Sequence, residues 1–178
     1  MYIKIKESLA IDSFDLPRGF KKVRDNIPGK GIGNHWISVF SIDQQESVSI
    51  SVFYRGKSEL PHNVEQFRNL LSAGSREVYT KDNENCADEV KKILPILGNT
   101  GNNQILDEEG ARMRPGFELE RLSIRLLNRK AVMQVIGWFH DEKMKFTKHF
   151  NGIFIDANPD SSDLVLEEVY LQTVTESL

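Results

Sequence analysis

The sequence predicts an α+β domain: a mainly antiparallel sheet of about six to seven strands with two helices packed on it, in the order β-β-β-α-α-β-β-β-β. Three observations predict it. Apolar residues recur at every second position in both outer thirds of the chain, they recur at helical spacing in the middle, and the connections within each strand block are hairpin-short.

Taken in order, "SFDLPRGFKKVRDN" (13–26) reads as two short extended pieces around a turn marked by Pro17 and Gly19. "HWISVFSID" (35–43) and "SVSISVFYRG" (47–56) read as a hairpin. In its second strand Val48, Ile50, Val52 and Tyr54 alternate with Ser47, Ser49 and Ser51, which predicts one buried face and one wet face. The period then changes. "NVEQFRNLLSAG" (63–74) carries the stripe Val64, Phe67, Leu70 and Leu71, an Asn-x-x-Gln start resembling a capping box, and Gly74 as a stop. "NENCADEVKKILPILG" (83–98) repeats the helical stripe, and Pro95 should end or kink it near Leu94.

Residues 98–116 follow neither period, and a loop of that length in one domain is often functional. The last third returns to strands: "FELERLSIRLLN" (117–128), "KAVMQVIGWFHD" (130–141), "FNGIFIDA" (150–157) and "DLVLEEVYLQTV" (163–174), with a tight turn at Asn128-Arg129. The strand over 130–141 is apolar on both faces, which predicts a central strand covered on both sides. No repeat or low-complexity segment interrupts residues 1–178, so a single domain is expected.

Composition narrows the function classes. With 23 Lys+Arg against 26 Asp+Glu the net charge is −3, which argues against a nucleic-acid partner recognised through bulk positive charge. No apolar run is long enough to span a bilayer, so no membrane partner is expected. One cysteine, Cys86, permits no internal disulfide and fits a reducing, cytoplasmic setting. Cys86 also lies on an apolar helical stripe, where a thiol is usually inert.

The conspicuous "NIPGKGIGNHW" (26–36) is not a phosphate loop. A Walker A pattern sets a glycine ahead of four spacers and Gly-Lys, and Arg24 stands at that position. A strand rather than a helix N-terminus follows, so no cofactor is expected there. In "DANPDSSDLVLE" (156–167), Asp156, Asn158, Asp160 and Glu167 fall at positions 1, 3, 5 and 12 of a calcium loop. Ser161 occupies the position that needs glycine, and the flanks read as strands, so a solvated turn is the expectation and no metal is assigned. His140 and His149 could face each other across a hairpin near Asp141 and Glu142, but a third metal ligand is missing. Glu167 and Glu168 are strand neighbours, so they point to opposite faces and cannot share a substrate. No Gly-x-Ser-x-Gly elbow is present, and no catalytic residue is assigned.

A binding face has more support. Arg121 and Arg125 share one face of a strand, Arg129 continues their spacing, and Arg112 and Arg114 lie in the adjoining loop. Arginine suits carboxylates and phosphates at interfaces, so Arg112, Arg114, Arg121 and Arg125 are the candidate partner-binding residues. The competing reading is an outer strand face kept soluble by charge.

"FDLPRGFKKV" is similar to the Pro-x-Gly turn that opens members of the PsbP-like family, and the paired strands "WISVFSID" and "SVSISVFY", the helical middle and the late strands resemble that family's order. The family usually closes with a helix, and "YLQTVTESL" stops before one forms. The resemblance implies a binding or assembly role rather than an enzymatic one, and no functional residue carries over. The expected function is therefore a non-catalytic protein-binding or assembly module of bacterial type, for example a toxin-neutralising one. The alternative, from another class, is a small-molecule-binding protein or hydrolase with a cleft between sheet and helices.

Overall fold

A computed structural model describes residues 1–4, 10–26, 36–57, 64–81, 117–141 and 146–176. Strands dominate them. They are β1 (Tyr2–Lys4), β2 (Ser13–Asp15), β3 (Lys21–Asn26), β4 (Trp36–Ser41), β5 (Val48–Lys57), β6 (Arg76–Thr80), β7 (Phe117–Leu127), β8 (Lys130–Asp141), β9 (Phe146–Asp156) and β10 (Val165–Glu176), with helix α1 (Val64–Ser72) between β5 and β6. β1 and β2 form a small two-stranded sheet. The other eight strands form one antiparallel sheet in the order β3-β4-β5-β10-β9-β8-β7-β6.

The mainly antiparallel sheet is as expected, but the strand count is corrected, with ten strands described where six to seven were expected and one of them following the described helix directly. Strand β6 follows α1 directly. Its sequence "REVYT" is too short and too charged to show an alternating pattern, and only pairing with β7 reveals it as a strand. The helical stripe at 83–98 and the long loop at 98–116 lie outside the described residues.

Two cores form on opposite faces of the large sheet, at opposite ends. On one face α1 lays Val64, Phe67 and Leu70 over Leu122, Ile124, Met133, Val135 and Phe154. Phe67 is fully buried, and burying a side chain of that size is worth roughly 1.5–3 kcal/mol. Gly74, at φ 90°, ends the helical run and turns the chain back into β6, as its sequence position predicts. On the other face the β1–β2 pair sets Ile3, Phe14 and Leu16 against Phe40 and Val52. The ring of Phe14 meets that of Phe40 edge-on at 5.6 Å.

This staggered covering overturns two expectations. The serine face of β5 is not wet, because Ser49 and Ser51 are both buried. Strand β8 is not covered along both faces either. Met133 and Val135 are buried beneath α1 and Val132 is buried on the reverse side, but Ile136 and Trp138 on that same reverse side stay partly exposed. The described helix lies over one face, and the β1–β2 pair covers the other face at the far end of the sheet. Among the described residues, what remains is an open face over β6, β7, β8 and β9.

Candidate functional site

The open face is built by register. Glu77 of β6 stands opposite Ser123 of β7, which stands opposite Gln134 of β8. Arg121 is opposite Ile136, which is opposite Asn151 of β9, and Trp138 is opposite His149. Residues opposite one another in a ladder share a face, so all of these project from one side.

Their side chains form a chain of polar contacts running across four strands. Glu77 holds both arginines: Arg125 Nη2 lies 2.7 Å from its Oε1, and Arg121 Nε lies 3.6 Å from its Oε2. Arg125 also donates to Gln134 Oε1 at 3.4 Å, and Gln134 Nε2 donates to Asn151 Oδ1 at 2.9 Å. Nearer the other end of the strands, Trp138 Nε1 donates to Glu120 Oε2 at 3.1 Å, and His149 Nε2 lies 3.9 Å from the same oxygen. The indole and imidazole rings sit 4.7 Å apart. Leu171, on β10, borders the patch and is 41% exposed.

Arg121 and Arg125 therefore share one exposed face, as the strand spacing predicts. Glu77 is the residue that sequence reasoning missed. It sits on the unforeseen strand β6, and its carboxylate offsets half of the positive charge of the arginine pair. Arg112 and Arg114 lie outside the described residues, as does Cys86.

The aspartate loop after β9 resolves differently. Asp156 is buried, and its Oδ2 accepts a hydrogen bond from Arg68 Nε of α1 at 2.8 Å. The same guanidinium donates to the carbonyl oxygens of Ser161, Asn158 and Asp163 at 2.6, 3.1 and 3.3 Å. Asn158 N donates to Asp156 Oδ1, closing a local turn. The inward oxygens of the loop thus surround an arginine, which fills the place a cation would take. Asp160 is exposed, and Glu167 belongs elsewhere: it is buried and accepts from Ala10 N at 2.9 Å. Among the described residues no group of three or more His, Cys, Asp and Glu could hold a metal ion.

Glu167 and Glu168 are both buried on central strand β10. Their register partners are Ile155 and Phe154, so they leave on opposite faces as predicted. The backbone pairs His149 with Trp138 and His140 with Thr147, so the two histidines are not opposite one another. No described helix is long and apolar enough to cross a membrane. Comparison with family models, with curated proteins and with solved structures returned no match.

Proposed function

We propose that the open face of β6–β9 binds a protein partner, with Arg121 and Arg125 as its charged anchors. One observation carries this reading: two exposed arginines, held in fixed positions by Glu77 and Gln134, share a face with a partly exposed tryptophan and with Leu171 at its edge. Tryptophan and arginine dominate the residues on which protein interfaces depend. A guanidinium already oriented by neighbours loses less side-chain freedom when a partner docks. Because Glu77 and Glu120 offset the arginines, the partner this face suits is one with mixed polar and apolar character, rather than the acidic protein that the arginines alone would imply.

The PsbP-like resemblance supports the same reading, since members of that family act mostly as binding or assembly factors. An assembly-accessory or toxin-neutralising role fits a small acidic domain of this kind, and the single cysteine favours a cytoplasmic setting. Tagged protein captured from its native cells tests the proposal. A partner recovered in stoichiometric amount with the wild type should be lost from the R121E/R125E double variant, and retention of that partner would remove the arginines from the account.

A further inference from the structure

Among the described residues, chain geometry, exposure and charge combine outside that face at the hairpin joining β7 to β8. The β6–β7 ladder ends at the Arg76–Ile124 pair, and the β8–β9 ladder ends at Met133–Phe154. The β7–β8 ladder continues for three further pairs, Arg125–Val132, Leu126–Ala131 and Leu127–Lys130. The tip therefore extends beyond the pairing of both neighbouring strands. Asn128 and Arg129 close it at φ 48° and 67°, the two successive positive values of a tight hairpin turn that matches strand twist.

At this tip Leu126 is 59% exposed and Leu127 is 45% exposed. They are neighbours on a strand, so they leave on opposite faces. From Arg121 to Met133 the sequence carries four cations, Arg121, Arg125, Arg129 and Lys130, and no acidic residue. Glu77 occupies the first two, while Arg129 and Lys130 meet no carboxylate among the described residues. The adjoining loop carries one exposed acid, Asp160, at the same end of the sheet.

We propose that Leu126–Lys130 is a membrane-contact tip, which dips Leu126 and Leu127 into the interface of an anionic bilayer while Arg129 and Lys130 meet the lipid headgroups. Opposed leucines decide between occupants. A protein surface, or a second copy of this chain, would cover one side of the hairpin and leave the other leucine wet. A fluid bilayer surrounds the tip and covers both. Two copies meeting tip to tip would also bring like charges together. The backbone of the tip is paired within the hairpin, so insertion strands few amide groups. Basic residues beside anionic headgroups add attraction, and the cytoplasmic leaflet is the anionic one. The expectation of no membrane partner rests on missing apolar spans, which a peripheral tip does not need.

Vesicle co-sedimentation of the whole protein tests this. Binding to phosphatidylcholine vesicles containing about one-third phosphatidylserine should exceed binding to pure phosphatidylcholine, and should weaken as salt rises. L126S/L127S should lower the affinity about tenfold or more, and R129E/K130E should abolish the preference for phosphatidylserine. Melting curves, taken first, should match the wild type because both leucines are exposed. A reporter variant, L127W, should shift its emission to the blue with anionic vesicles and be quenched by brominated lipid. Absence of binding to the anionic vesicles, variants that bind as the wild type does, or a reporter that responds to a protein partner and not to lipid would each overturn the proposal.

Discussion

Arg68 of α1 and Asp156 at the end of β9 meet at 2.8 Å across the interior edge of the main core, and the aspartate side chain is only 4% exposed. This pair ties the lone described helix to the sheet and shapes the loop that follows. Arg68→Ala would take the cationic partner from a buried carboxylate, which among the described residues keeps only the Asn158 amide, and would strip a donor from three loop carbonyls, of which Asn158 keeps Ser161 N. This should cost about 3–5 kcal/mol. Adding Asp156→Asn should recover part of that loss, since the uncompensated charge is then gone. Chemical denaturation of the two variants measures both effects, and equal stability of R68A and wild type would show that the pair holds nothing together.

The same geometry predicts how the protein responds to calcium. Of the calcium-loop positions, Asp156 gives its carboxylate to Arg68, which also takes the backbone carbonyls of Asn158, Ser161 and Asp163, while Asp160 is exposed and Glu167 accepts from Ala10 N. Millimolar calcium should therefore leave the melting midpoint of the wild type unchanged, because a ligand raises stability only by binding the folded state. A clear upward shift would mean that the loop can release its arginine. The sequence pattern of acids at alternate positions was legible, but its occupant was not. Arg68 lies 88 residues earlier, and nothing local announces that the two segments meet.

Gly152 gives a packing prediction. It is buried on β9, and a Cβ built there would stand 2.4 Å from Cζ of Phe150 and 2.6 Å from its Cε1. That ring is confined by Phe154 and Tyr170, at centroid distances of 6.5 and 5.2 Å. Gly152→Ala should therefore destabilise by about 1–3 kcal/mol through overpacking, although alanine ordinarily favours a strand over glycine. Thermal unfolding decides it, and a neutral or stabilising outcome would mean that the ring moves aside freely.

Two aspartates beside β4 set the acid response. Burial raises the carboxyl of Asp25, but hydrogen bonds from Lys22 and Ser38 and the charge of Lys22 outweigh it, and the net shift is downward from 3.8. Hydrogen bonds from the Ser47 side chain and backbone lower Asp43 from the same ordinary value. Since both folded-state values are depressed, their contribution is complete above the unfolded value and is lost as pH falls below about 4 through the folded values. Ser47→Ala should move the titration of Asp43 back toward 3.8, as followed by NMR, and an unmoved midpoint would contradict the assignment.

How much of this was readable depends on whether the signal was local. The stripe Val64, Phe67, Leu70, the stop at Gly74 and the turn at Asn128-Arg129 were all legible, because each depends on a few adjacent residues. Strand β6 was not, since five residues with two charges acquire strand character only from β7. The burial of Ser49 and Ser51 was hidden for a related reason: alternation shows that two faces differ, and distant segments decide whether the polar one is covered. Of the candidate site, the shared face of Arg121 and Arg125 followed from strand spacing. Glu77, Gln134 and Asn151 followed only from sheet order.

The ion pairs of Glu77 are exposed, so they should contribute little to folding. Glu77→Ala should change stability by less than about 1 kcal/mol, with the small effect fading in high salt. This separates function from fold: loss of a partner in an arginine variant whose melting curve is unchanged is loss of a surface and not of a structure. A large drop in stability would instead assign the cluster a structural role.

Photo-crosslinking from two positions tests the partner face most directly. A photoreactive residue replacing Leu171, at the edge of the open face, should capture one defined protein in the native cells, and R121E/R125E in the same chain should abolish that adduct. The same residue replacing Glu65, exposed on α1 across the sheet, should capture none. An adduct at position 171 that survives the double charge reversal, or one that forms only from position 65, would contradict the assignment of the β6–β9 face as the binding surface.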